Sequence, residues 1–345
     1  MKAKKQNNNL QVDRLNYELL RTYENPTVKT DGPKPQKERI IYVAISPNQE
    51  IVACAYFSGE ISLFNFKTSE LIVRFQAHEG RSHHIEFSKN GEIMLSTGDD
   101  GRVMMFDIKS YTLINKIVMP FYKNQLELTK IVFALIDDDL EYIYFGANNG
   151  CIYKCDKKRN YKPYMIVSPE SDIYSDSYYI TAGIFSPDNK YLVYSSGFSI
   201  KFLNLSTNKI EKLIGGAHQY INDVVFHPTN SNILISWLQN GTITYWDVEL
   251  EEALCTIKAS NQEGYSHISI NNTGEYLASG NDYYYVNIWD VNTKHRLAKI
   301  SNKFSMDGEI KGHTRRINSL IFIEDGSLLT ASHDGTAKLW KLTKK

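Results

Sequence analysis

KGHTRRINSLIFIEDGSLLTASHDGTAKLW, residues 311–340, is the stretch from which the rest of the chain can be read. Gly312-His313 ends a turn, Ile317 to Ile323 alternates apolar with polar residues, and Glu324-Asp325-Gly326 is a turn signal before a second run, Leu328 to Ser332. A tight turn at His333-Asp334-Gly335 leads into a third run, Thr336 to Leu342. Three strands and two hairpin turns therefore fit in about thirty residues. The imidazole of His313, the hydroxyl of Thr330, the carboxylate of Asp334 and the indole of Trp340 can be buried together only if each satisfies the next.

The same pattern recurs along the chain in weaker form. Stepping back from Trp340, the last-strand anchor falls on Trp289, Trp246, Leu203, Cys155, Phe106 and Phe64, at spacings of 51, 43, 43, 48, 49 and 42. The first strand keeps a frame of its own, marked by Ile45, Phe87, Phe133, Phe185, Phe226, Ile270 and Phe322. Two markers thus give seven units, at about 39–75, 76–120, 121–167, 179–214, 215–258, 259–300 and 311–342. This period is that of a four-stranded propeller blade.

The unit resembles the WD40 repeat, and the DG or NG turns and the Trp-Asp pairs at 246 and 289 strengthen the likeness. The resemblance implies an all-β, seven-bladed propeller in which His, Ser/Thr, Asp and Trp form an internal clasp. Besides His313, Thr330, Asp334 and Trp340, clasp members are expected at His78, Ser96 and Asp100 in unit two and at His218, Ser236 and Trp246 in unit five. Unit two has Phe106 in place of the indole, and unit five has Asn240 in place of the carboxylate. Only three strands follow His313, while a lone alternating segment, residues 17–23, stands near the start. The segment is expected to complete the last blade and close the ring, giving a single domain over residues 15–345 after a disordered tail, 1–14. A Pro- and Lys-rich connection runs from Asn25 to Lys37, and residues 168–179 read as an acidic surface loop.

Composition narrows the function. The hydrophobic content of 42% supports a globular core, no apolar run reaches membrane-spanning length, and residues 1–9 lack the apolar segment of a secretory signal. Four scattered cysteines suit a reducing compartment, so an intracellular location, nuclear or cytoplasmic, is expected. A formal net charge of zero argues against bulk binding of nucleic acid. Cys151 and Cys155 are too far apart on one strand for a disulfide, and they lack the further ligands of a zinc site. The run Asp137-Asp138-Asp139 lacks calcium-loop spacing, and no phosphate loop, G-x-S-x-G or H-E-x-x-H is present. The sequence therefore predicts no enzyme, no cofactor, no metal and no small-molecule substrate.

Binding is the remaining class. Six residues before the first-strand markers lie Arg39, Arg81, Glu127, Tyr179, Tyr220, Gly264 and Arg316. Units seven, one and two become neighbours when the ring closes, so Arg39, Arg81 and Arg316 are expected to converge near His83 and His333. Tyr179 and Tyr220 would form an aromatic sector opposite. Guanidinium groups suit carboxylate or phosphate, and Tyr is a frequent interface anchor. The reading is a scaffold or adaptor in a multiprotein complex, whose partners are other proteins and whose rim takes an acidic or phosphorylated segment.

Three narrower settings are compatible with that reading. The start LNYELLRTYENPTVKTDG and the sixth-unit text GEYLASGNDYYYVNIWDVNTKHRLAKI are similar to the retinoblastoma-binding-protein scaffold family of histone H3 lysine 4 methyltransferase complexes. That likeness implies a chromatin scaffold, although the acidic tail that follows the propeller in that family has no counterpart before Lys345. A ciliary or cytoskeletal array and an RNA-associated scaffold are the alternatives.

Overall fold

The structure, a computed structural model, describes residues 15–25, 37–120, 129–168, 179–261, 267–280, 284–301 and 311–345. The tail 1–14, most of the Pro-rich connection and the loop 168–179, and positions 127 and 264 lie outside them. The described residues form seven antiparallel four-stranded sheets. Six of the sheets are consecutive in sequence, from the blade beginning with Ile40–Ile45 to the blade ending with Arg296–Ile300. The seventh takes Ile317–Phe322, Leu328–Ser332 and Thr336–Lys344 from the end of the chain and Leu15–Glu24 from its start.

Seven buried apolar clusters fill the seven gaps between neighbouring blades. Because each sheet alternates its side chains to two faces, each blade contributes to two clusters, and a ring is the arrangement that leaves no face uncovered. Cys151 and Cys155 are buried fillers of the cluster between blades two and three, next to Phe145 and Tyr153. The closing strand runs antiparallel to the last one, from Leu15 opposite Lys344 to Glu24 opposite Thr336, with a bulge at Leu20. It also reaches blade one, because the buried Tyr23 hydroxyl donates to Phe66 O at 2.7 Å and Arg21 Nε donates to Lys67 O at 2.8 Å. Burial raises the Tyr23 phenol above its ordinary pKa, so it remains a donor.

Blade three departs from the sequence frame. In six blades the first-strand marker pairs with the residue that in turn faces the third-strand anchor: Ile45 with Val52, and Val52 with Phe64, for example. In blade three the anchor Cys155 faces Ile143, and Ile143 faces Ile136, whereas Phe133 pairs with Gly146. The true marker is therefore Ile136, and Phe133 sits three residues earlier. Ile136 and Phe133 are both large and apolar, so hydrophobicity alone does not separate them.

Candidate functional site

The clasp in blade seven is fully assembled and buried. Asp334 accepts from His313 Nδ1 at 3.0 Å, which fixes the tautomer, so Nε2 accepts from the Thr330 hydroxyl at 2.8 Å. Thr330 Oγ1 accepts in turn from Trp340 Nε1 at 2.9 Å. Burial pushes the Asp334 carboxyl upward, but hydrogen bonds from His313, Thr336 and the Thr314 amide outweigh it and hold the group well below the usual carboxylate range. Burial lowers the His313 pKa against the pull of Asp334. Lys338 caps the arrangement by donating to the carbonyls of Lys311 and Gly312.

In blade two His78 bridges Asp100 at 3.0 Å and Ser96 at 2.8 Å. Gly98 makes this possible, because a Cβ there would lie 2.5 Å from the His78 ring. Blade five is only half a clasp. Trp246 Nε1 donates to Ser236 Oγ at 2.8 Å, but His218 is exposed and no described hydrogen bond joins it to that pair. The expected role of His218 is thus corrected. Asn240 spends its side-chain oxygen on the amide and hydroxyl of Thr242, so no carboxylate is available to hold an imidazole.

Among the rim residues named by sequence, Arg39, Arg81, Arg316, His83, His333 and Tyr179, together with others, line one cavity of about 740 Å³ on the propeller axis. Tyr220 does not line it; its ring packs on Phe198 at 4.7 Å between centroids. A repeated hydrogen bond identifies the rim position, in which the carbonyl accepts an amide from the turn after the second strand. Arg39, Arg81, Tyr179, Tyr220 and Arg316 all make it. In blade three the acceptor is Lys130, three residues beyond Glu127, as the Ile136 frame requires. Lys130 lines the cavity and was missed through that slip of frame.

Phe57 is the second residue missed. Its ring lies 4.3 Å from the Arg81 guanidinium carbon and 5.3 Å from that of Arg39, so it backs two cations at once. Asp99 is the local counter-ion: its oxygens lie 2.6 Å from His83 Nε2, 3.3 Å from Lys130 Nζ and 4.0 Å from Arg81 Nε. Burial works against its ionisation, but His83 and Lys130 prevail and its pKa falls below the ordinary range. His333 is pushed down to about 4, first by burial and then by Arg316, Arg39, Arg315 and Arg81, which places those charges around one imidazole.

Further along the first strands, a second tier faces the axis three residues before the true markers: Tyr42, His84, Phe133, Ala182, Asp223 and His267 all line the cavity. Blade seven contributes Ser319, whose small side chain accepts from Val43 N. Tyr42 spans the gap, with its ring 4.7 Å from that of His84 and 5.5 Å from that of His267. Asp223 receives His267 Nδ1 at 3.2 Å and Ile268 N at 2.9 Å. Phe133 is accommodated by Gly146 and Gly183, at each of which a Cβ would stand 2.3 Å from its ring. Among the described residues no group of three or more His, Cys, Asp or Glu is arranged to hold a metal ion.

The family profile described as WD domain, G-beta repeat matches residues 69–107 and 305–341. These segments cover most of units two and seven, the two with a His-hydroxyl-Asp set. The chain is 20% identical over 88% of its length to Denticleless protein homolog A of Xenopus laevis, covering 41% of that protein. It is 27% identical over 46% of its length to Pre-mRNA-processing factor 19 of Mus musculus, covering 30% of it. It is 34% identical over 35% of its length to Protein LST8 homolog of Drosophila pseudoobscura pseudoobscura, covering 38% of it. The chain thus spans less than half of each of these relatives. No described helix is long and apolar enough to cross a membrane.

Proposed function

From a chain that carries WD40 repeats closed into a seven-bladed propeller, we propose a non-catalytic scaffold or adaptor that docks an acidic or phosphorylated segment of a protein partner at the axial mouth. The observation that carries this reading is the gathering of Arg39, Arg81, Arg316 and Lys130 at one cavity, with Asp99 the counter-ion beside Arg81 and Lys130. No carboxylate among the described residues lies within ion-pair distance of Arg39. Positive charge therefore exceeds the local counter-charge, and an incoming anion is favoured. A phosphate offers three strong acceptors and nearly two charges, which matches three guanidinium groups better than one carboxylate does.

The test is retention of partners from cell extract by immobilised protein, wild type against Arg39→Ala/Arg81→Ala/Arg316→Ala, with and without phosphatase treatment of the extract. Loss of specific partners from the triple variant supports the proposal, and phosphatase sensitivity assigns the phosphate. Retention of every partner by a folded triple variant would refute it. An RNA-associated setting gains some support from the likeness to pre-mRNA-processing factors, and nuclease treatment of the same extract discriminates it.

A further inference from the structure

The cavity changes electrical character along its depth. At the mouth stand arginines; below them stand Asp223, on the second tier, and Glu86, two residues beyond His84 on the same strand. Asp223 already has partners, accepting from His267, Ile268 N and Val224 N. Glu86 differs, because no hydrogen bond or ion pair reaches it among the described residues. His84, two residues earlier on the same strand, has a buried Nδ1 without a hydrogen-bond partner. A half-buried carboxyl that faces the cavity and a buried imidazole nitrogen thus stand on one wall without complementary groups among the described residues, and the buried nitrogen is the costly one of the two. The Tyr42 ring stands between the two imidazoles, beside both carboxyl groups. Blades three and four present an apolar wall instead, with Val132, Phe133, Leu135 and Ile184.

An acidic acceptor, an aromatic face and an apolar wall around one narrow space fit a long side chain with an aliphatic stem and a cationic head. We propose that the channel beneath the arginine rim is a subsite for one lysine or arginine side chain of the docked segment, with Glu86 as its carboxylate partner. The inference rests on the rim reading for the anionic residue, so the complete ligand is a segment that carries an acidic or phosphorylated residue close to a basic one.

Proton linkage separates this subsite from generic docking. Burial raises Glu86 to about 8, so in the empty channel the carboxyl is largely protonated at neutral pH. A bound cation favours the ionised form, and the carboxyl gives up a proton as the cation enters. The groups facing it are His84, His267, Asp223 and Tyr42. His84 is held near 3 by burial and by His267, so it does not compete for the released proton, and Tyr42 is raised by burial.

The experiment is calorimetric titration of the full chain with acetylated, amidated peptides of the form phosphoserine–glycine spacer–arginine, over a series of spacers. Unphosphorylated serine and leucine-for-arginine versions are the controls. Wild type is expected to prefer arginine to leucine by about tenfold, the range of a charge-assisted contact. The titration should release protons into the buffer, seen as a heat that depends on the buffer's ionisation enthalpy. Glu86→Gln, which keeps the shape and removes a desolvated acid, is expected to abolish both the preference and the proton release while staying folded. Equal binding of the arginine and leucine peptides, or an arginine preference that survives in Glu86→Gln, overturns the subsite. Arginine preference without any effect of phosphate supports the channel and overturns the rim reading; phosphate preference without an effect of arginine does the reverse.

Discussion

Thr330 holds two side chains with one oxygen. It gives its proton to His313 and accepts from Trp340, and both contacts lie out of reach of water. Thr330→Val keeps the shape and leaves an imidazole nitrogen and an indole N–H unpaired, at about 1–3 kcal/mol each. Thr330→Ser retains the hydroxyl and should cost about 1 kcal/mol, through the lost methyl. Trp340→Ala empties the site altogether and should cost about 3–5 kcal/mol. Denaturant midpoints of the three variants give the order directly, and an unchanged Trp340→Ala would show that no clasp exists. Acidity acts on the same residues. The depressed His313 and Asp334 contribute stability that is present above their unfolded values and lost as pH falls through the folded ones, starting below about 6.5 for the imidazole. Glu86 has the opposite sign: raised from 4.5 to about 8, it favours folding below 4.5 and loses that contribution as pH rises through about 8. Glu86→Gln should therefore remove the fall in stability between pH 4.5 and about 8 and leave the profile outside that window unchanged.

At the level of strands, the closing segment shows how far alternation alone can carry an inference. The apolar and polar order of residues 17–23 indicates a strand, and the count of three strands after His313 indicates its place, which the pairing of Leu15–Glu24 with Thr336–Lys344 bears out. The bond from Tyr23 to Phe66 was not legible, because it joins residues in different blades and depends on ring geometry. Tyr23→Phe should cost about 1 kcal/mol, or somewhat more if the Phe66 carbonyl stays dry. Removing the residues up to Glu24 should do far more, since it exposes the edge of Thr336–Lys344 and one side of the cluster holding Leu329 and Leu339. The measurable result is aggregation of the truncated chain at concentrations where the full chain stays monodisperse. Blade three marks the limit of frame counting. Phe133 looks like a marker because its size suits either position, and only the pairing of Ile136 with Ile143 and Ile143 with Cys155 resolves the register. A shift of three residues concealed Lys130 at the rim.

Across the whole molecule, the periodicity that revealed the ring also encodes its axis. Once Ile136 replaces Phe133, six residues back gives the mouth and three residues back gives the second tier, so both levels were present in the sequence as positions. Their chemistry as a set was not legible, because Tyr42 meets His267 only where the intervening blade supplies Ser319, and Phe57 meets two arginines only through a turn. The excess of cations at the mouth has a bulk signature despite the zero net charge of the chain. Binding of a phosphorylated peptide should weaken by about tenfold or more between low and physiological salt, because exposed charges are screened over about 8–10 Å. The Arg39→Ala/Arg81→Ala/Arg316→Ala variant should lose most of that salt dependence.

Closure also sets an order of events in time. Leu15–Glu24 leaves the ribosome before the six consecutive blades, yet its pairing strand, Thr336–Lys344, is made only after them. At about 5–20 residues per second the first strand waits on the order of tens of seconds. Throughout that wait Leu15 and Tyr23, both buried in the finished ring, are bare to the solvent, and six blades already paired within themselves lack their last wall. The final folding step is thus a meeting of Leu15–Glu24 with Thr336–Lys344, and the nascent chain is most open to chaperones, or to a neighbouring copy's strand, while that first strand of the ring is still unclaimed.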